Sequence, residues 1–67
     1  MSSKKLSRMI LQVREAKGLT QRDLARRAKV TQGYVAQLEV GLKTNPSLPV
    51  LRRLAKALGV PVAELLE

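Results

Sequence analysis

The chain has 67 residues, a single small domain, and its 13 Lys+Arg against 5 Asp+Glu give a formal charge of +8. It has no cysteine and no histidine, which removes disulfides, thiolate and imidazole metal ligands and the usual general base. The acids Glu15, Asp23, Glu39, Glu64 and Glu67 are widely spaced, so no enzyme chemistry, cofactor or metal is expected, while the charge predicts a polyanionic partner.

Residues 1–4 read as a flexible basic arm and 5–67 as the folded domain. From Lys5 to Lys17 the apolar residues Leu6, Met9, Ile10 and Val13 fall on one face at helical spacing. Gly18 stands next, where a left-handed cap residue usually sits. Thr20 is a suitable N-cap, with the Asp23 carboxylate in the first turn. Leu24, Ala25 and Ala28 form the buried side of this second helix, and Arg22, Arg26, Arg27 and Lys29 cover its other sides. Thr31 caps a third helix from Gln32 to about Val40, with Val35 and Leu38 inward and Gly41 as its stop. Leu42–Ser47, with Asn45 and Pro46, is a loop. Ser47 caps a fourth helix with Pro49 in its first turn. Val50, Leu51, Leu54, Ala55 and Leu58 form its apolar stripe, and Arg52, Arg53 and Lys56 point away. Gly59 ends it, Pro61 opens a short fifth helix, and Leu65 and Leu66 close the chain. No stretch has the alternation of a strand. Five short helices with tight connections predict one compact all-α domain.

Among polyanions, duplex DNA fits best. No apolar run approaches the ~20 residues that span a bilayer. Tyr34 is the only aromatic residue, which leaves an interfacial membrane helix without its usual anchors and a single-strand binder without stacking platforms. The informative segment is Gln21–Leu38, QRDLARRAKVTQGYVAQL. Two short helices joined by so tight a turn must cross steeply, as in a helix-turn-helix. Ala25 permits close approach, and Val35 and Leu38 hold the second helix on the core. Its outward face is then Gln32, Gly33, Ala36 and Gln37, with Val40 at the far end. That face is uncharged and low in profile, which suits a major groove better than bulk solvent. Glutamine pairs bidentately with adenine N6 and N7, while Gly33 and Ala36 allow close approach and contact with a thymine methyl. Arg22, Lys43, Lys4 and Lys5 are candidates for the phosphate backbone, which positions rather than specifies.

GLTQRDLARRAKVTQGYVAQLEVG resembles the lambda-repressor-like, or Xre/Cro-type, helix-turn-helix. NPSLPVLRRLAKALGVPVAELL is similar to the segment after the recognition helix in that family. The resemblance spans roughly residues 6–66 and rests on Gln21, Ala25, Val35, Leu38, Glu39, Gly41, Pro46, Leu54, Ala55, Leu58, Gly59 and Val60 together. It implies a five-helix lambda-repressor-like DNA-binding domain. Gln21 would contact phosphate and brace the recognition helix, and Gln32 would be the first base reader. Gly33 and Gln37 match further base-facing positions, although Gly33 lacks a contact common in relatives. Tyr34 matches a position that reaches phosphate, the alternative being packing against the loop. Lys43, Thr44 and Asn45 match a segment that grips the other phosphate strand, and Thr31 is placed with these phosphate contacts. Arg14 and Glu39 match an architectural salt bridge. Relatives bind as two-fold dimers on half-sites about 34 Å apart, so a pseudo-palindromic operator and a homodimer are implied. Val62, Leu65 and Leu66 would either supply the dimer contact or close the monomer core.

The chain departs from the family pattern in three places. Lys29 replaces a frequent glycine, so it takes either a left-handed conformation at about 1–2 kcal/mol or a different turn. Val40 and Leu42 replace polar residues on either side of Gly41, which weakens the expected phosphate grip or marks a partner's apolar patch. The main expectation is a cytoplasmic, nucleoid-associated transcriptional regulator of bacterial or phage origin, acting as a repressor. An antitoxin that masks a toxin partner and binds its own promoter is the alternative, and a basic RNA-associated bundle a third. Glu67 ends either a complete small regulator or the DNA-binding part of a longer protein.

Overall fold

The computed structural model describes residues 3–42 and 45–66. Its elements are α1 (Ser3–Ala16), α2 (Gln21–Ala28), α3 (Gln32–Glu39), α4 (Leu48–Leu58) and α5 (Ala63–Leu66). No strand occurs among the described residues. Helix α1 begins two residues before the expected Lys5, because nothing in the preceding sequence breaks it, so residues 3 and 4 of the expected arm are helical. Met1, Ser2, Lys43, Thr44 and Glu67 lie outside the described residues.

The apolar stripes converge as their spacing requires. Leu6 and Ile10 of α1, Leu24, Ala25 and Ala28 of α2, and Val35 and Leu38 of α3 are buried together. Leu51, Leu54, Ala55 and Leu58 of α4 and Leu65 of α5 complete the core. Helix α2 packs on both α3 and α4, while α1 packs on α3, α4 and α5. Beside the buried Leu24, the inward Ala25 and Ala28 add little bulk and allow close approach. Leu65 is 1% exposed. It therefore closes the monomer core and is unavailable to a second copy; Leu66 and, in part, Val62 remain outside. The chain turns at Pro61 through an N–H of Glu64 to its carbonyl at 3.0 Å, and α5 starts two residues later than expected.

Capping follows from side-chain chemistry. Thr20 Oγ1 accepts from the Asp23 N–H, and Asp23 Oδ2 accepts from the Thr20 N–H, both at 3.0 Å, which is a reciprocal capping box. The Thr20 N–H holds the Asp23 carboxyl below its ordinary range, with further help from the Thr20 side chain. Thr31 Oγ1 accepts from the Tyr34 N–H at 3.0 Å, and Ser47 Oγ from the Val50 N–H at 3.3 Å.

Four helices end in one arrangement. A residue with positive φ precedes an N–H that reaches back five residues: Leu19 to Arg14, Val30 to Ala25, Leu42 to Gln37 and Val60 to Ala55, at 2.8–3.0 Å. This is the Schellman bond pattern. Glycine supplies the positive φ at Gly18, Gly41 and Gly59, but Lys29 does so for α2, at φ 60 and ψ 43. The left-handed alternative expected for Lys29 is thus the one adopted. Lys29→Gly should relieve the Cβ strain and keep a net gain of about 0.5–1 kcal/mol after the greater entropy of the unfolded glycine. Thermal melts should then show Tm raised by a few degrees, at about 4–8 °C per kcal/mol for so small a domain.

Candidate nucleic-acid interface

The first turns of α2 and α3 come together on one side of the molecule. Gln21, Arg22 and Gln32 line one open depression with Arg14, Gly18, Leu19 and Thr20. Early N–H groups of a helix lack intrahelical partners and carry the positive end of its dipole. The Thr20 and Thr31 hydroxyls satisfy only the third N–H of each helix. Those of Gln21, Arg22, Gln32 and Gly33 are left without a capping partner, and the cation of Arg22 lines the same depression as Gln32. Such a surface attracts phosphate oxygens.

Helix α3 turns its apolar residues inward and leaves an uncharged side out. Val35 and Leu38 are fully buried, whereas Gln32, Gly33 and Gln37 are exposed. Ala36 is half-buried rather than fully outward, because it lies beside the buried Val35 at the edge of the contact. Val40, expected in the helix, is its C-cap residue and is 71% exposed. A Cβ at Gly33 would meet nothing within 4 Å, and its φ is not positive. The fold alone therefore has no use for glycine there, although glycine costs helix stability. Tyr34 is half-buried against the core. Asn45 is exposed; Lys43 and Thr44 fall outside the described residues.

The far end of α3 is tied down by its only charged residue. The Glu39 side chain is 4% exposed and faces Arg14, itself 12% exposed. Arg14 Nε donates to Glu39 Oε2 at 2.5 Å and a terminal Arg14 nitrogen to Oε1 at 3.1 Å. Its other terminal nitrogen donates to the Leu19 carbonyl at 2.8 Å. Gln21 Nε2 adds a bond to Glu39 Oε1 at 2.9 Å. The hydrogen bond to Glu39 raises the Arg14 pKa above its ordinary value, against the opposing effect of burial. Gln21 is thus a brace between α2 and α3, with one amide N–H left for an outside acceptor.

One feature escapes a reading of the sequence, and one that it raised, the apolar pair Val40 and Leu42, is exposed. Arg53, expected to point into solvent, folds back so that Nε donates to the Ala28 carbonyl at 2.8 Å, satisfying an end-group of α2. Leu42 is 74% exposed, whereas Leu19, Val30 and Val60, at the same place after their helices, pack on the core. With Val40 it forms an apolar step beside the end of α3.

A helix-turn-helix family model matches residues 10–65. The chain belongs to this family. The lambda-repressor-like resemblance and the all-α five-helix fold are therefore both upheld. The chain is 40% identical over 63 residues to the HTH-type transcriptional regulator DdrOP3 of Deinococcus deserti, covering 94% of this chain and 48% of that protein. It is 36% identical over 62 residues to the HTH-type transcriptional regulator SinR of Bacillus subtilis, covering 92% and 56%. The chain thus spans about half the length of these two relatives. Among solved structures, the restriction-modification controller protein C.AhdI of Aeromonas hydrophila matches with a TM-score of 0.87 at 35% identity, over 94% of each chain. SinR in complex with DNA matches with the same TM-score and identity, over 92% of this chain and 98% of that one.

The Arg14–Glu39 pair can be tested by stability alone. Arg14→Leu should strand a buried carboxylate and cost about 3–5 kcal/mol, while Arg14→Leu with Glu39→Leu should cost far less. Urea midpoints of the two variants measure the difference.

Proposed function

We propose that this chain binds double-stranded DNA and regulates transcription, as a repressor, by seating α3 in the major groove. The observation that carries the reading is the outward side of α3. In a chain of charge +8 it is the uncharged set Gln32, Gly33 and Gln37, with Ala36 at its edge. A groove-facing helix needs amides and a low profile, and the open space at Gly33 lets a base edge approach the backbone itself. Gln32 and Gln37 are the principal base readers. Gln21, Arg22, Thr31, Tyr34, Lys43, Thr44 and Asn45 are the backbone set, whose contacts fix register rather than sequence. The likeness to SinR, crystallised with DNA, supports the same partner for this chain. The relatives are named regulators, which favours this reading over an antitoxin or an enzyme.

A domain this small offers few base contacts, so two copies would share a pseudo-palindromic operator with half-sites about 34 Å apart. With Leu65 in the core, any apolar contact between copies at the C-terminal end falls to Leu66 and Val62. Action in the cytoplasm, on the nucleoid, accords with this function. Selection of bound duplexes from a random pool tests the whole reading: a symmetric site with that spacing is expected, and an unenriched pool would refute it.

Two narrower outcomes separate the contact classes. Gln32→Ala should lose about 1–3 kcal/mol of discrimination at one base pair per half-site, measured by competition between single-base operator variants; an equal loss on every sequence would remove Gln32 from the readers. Wild-type affinity should fall steeply with salt, the slope of log K against log salt being about −0.9 per phosphate neutralised; a flat response would rule out the backbone set.

A further inference from the structure

The end of α2 opposite Gln21 and Arg22 opens into a second cleft, of about 400 Å³, between α2 and α4. It is lined by Arg27, Lys29, Arg53, Lys56 and Ala57, so four cations surround it and no acid does. Arg27 and Lys29 lie roughly 9–12 Å further along α2 than Gln21, beyond the depression that joins the first turns of α2 and α3.

Part of this charge has an internal explanation. Cations near the last turns of α2 and α4 complement the helix dipoles. Two observations exceed it. Lys29 is the single non-glycine residue with positive φ among those described, at a position where the other three equivalent helix ends carry glycine. The chain thus accepts backbone strain at the one helix end whose left-handed residue lines this cleft, and such strain marks functional sites. Arg53, in turn, is anchored by its Nε bond to the Ala28 carbonyl. Its guanidinium is held in place with the terminal nitrogens free to donate. Arg27, Lys29 and Lys56 make no ion pair or side-chain hydrogen bond among the described residues.

We propose that this cleft binds a phosphate group, supplied either by the backbone of bound DNA or by a free polyphosphate. An anchored guanidinium fork beside exposed ammonium groups matches tetrahedral phosphate oxygens. Four cations exceed what a single carboxylate neutralises, whereas successive backbone phosphates carry one charge each along the strand and the terminal group of a free polyphosphate carries up to about −2. The site is independent of base readout by α3 and stands whether or not Gln32 is a reader.

The test is a titration of isotope-labelled protein with inorganic pyrophosphate, monitored by amide chemical shifts. Saturable shifts are expected at Lys29, Val30 and Ala57. The double variant Lys29→Gly/Lys56→Gln should weaken pyrophosphate about tenfold or more, as expected for lost charge-assisted bonds. It should stay folded, since glycine fills the same role at the other helix ends, and a melt checks this. The control Arg8→Gln/Lys17→Gln removes equal charge from exposed positions outside the cleft and should leave pyrophosphate affinity within about twofold, against the about tenfold expected for lost bonds. Duplex DNA distinguishes the sources. If the backbone occupies the cleft, the salt slope of the cleft variant becomes shallower by about 1.8, for two lost contacts, and that of the control less. If a free polyphosphate does, pyrophosphate binding is lost while the slopes of both variants match. The proposal is overturned when pyrophosphate shifts are diffuse or unsaturable, or both double variants weaken it equally, and the slope separates the variants no better.

Discussion

A buried carboxylate organises this molecule. Glu39 has 4% of its side chain exposed, and an ion so placed costs several kcal/mol unless its oxygens are matched by donors. The match comes from two donors, and a third group holds one of them in place. Arg14 arrives from the last turn of α1 and Gln21 from the first residue of α2. The Leu19 carbonyl fixes the far side of the same guanidinium. Arg14 cannot move without leaving the Glu39 charge unpaired, and Gln21 cannot without removing a donor from it. The end of α3 is thereby locked to α1 and to the start of α2, the two elements that frame the candidate DNA-facing side. The fully buried Val35 and Leu38 hold the middle of α3, and the Thr31 cap its beginning. A helix held at both ends and along one side presents its outer residues as a rigid row, as base readout requires.

The small core explains why so much else is local. A domain of this size buries only about 60% of the surface its unfolded chain exposes, so uncapped helix ends would be a large fraction of its stability. Three helices begin with a hydroxyl cap, and four end with the same five-residue backward bond. Short connections result directly at the ends of α1, α2 and α4, where the chain turns within three or four residues, while the connection from α3 to α4 runs from Val40 to Ser47. The apolar residue after the turn is then returned to the core as Leu19, Val30 and Val60. Leu42 breaks the rule. Gly41 turns the chain there as usual, but the next residue faces outward beside the end of α3. The step it forms with Val40 leaves two large apolar side chains exposed beside the end of α3.

Local spacing is the part of this structure that is legible in the sequence. The inward sets of α2, α3 and α4 follow from helical periodicity. The Thr20, Thr31 and Ser47 caps follow from a hydroxyl standing before an apolar period. The Arg14–Glu39 pair is accessible only through resemblance, since 25 residues separate the partners. The inward fold of Arg53 is hidden for the same reason. Its acceptor, the Ala28 carbonyl, is 25 residues away, and a cation between two core positions of a helix looks solvated by default. Leu65 is ambiguous in the sequence because a four-residue helix is too short to define a face; only packing against α1 assigns it to the core. Gly33 shows the converse. Its sequence context suggests close approach, but the geometry adds that the isolated fold has no need of glycine there.

Charge is distributed as base readout requires. Helix α3 contains one charged residue, Glu39, and it points inward. The cations stand instead on α1, α2 and α4, around a helix whose outer face is amide and small apolar groups. Such a division separates long-range attraction from discrimination. A polyanion is drawn by the surrounding field over distances near the Debye length, about 8 Å at physiological salt. A base edge is sensed only at hydrogen-bond range. Had lysines occupied the positions of Gln32 and Gln37, α3 would gain phosphate affinity that every sequence shares, and its preference for one site would shrink by the same mass action. On the proposed reading, an uncharged face inside a cationic domain would keep the sequence-independent attraction on the flanks and reserve the centre for differences between base pairs.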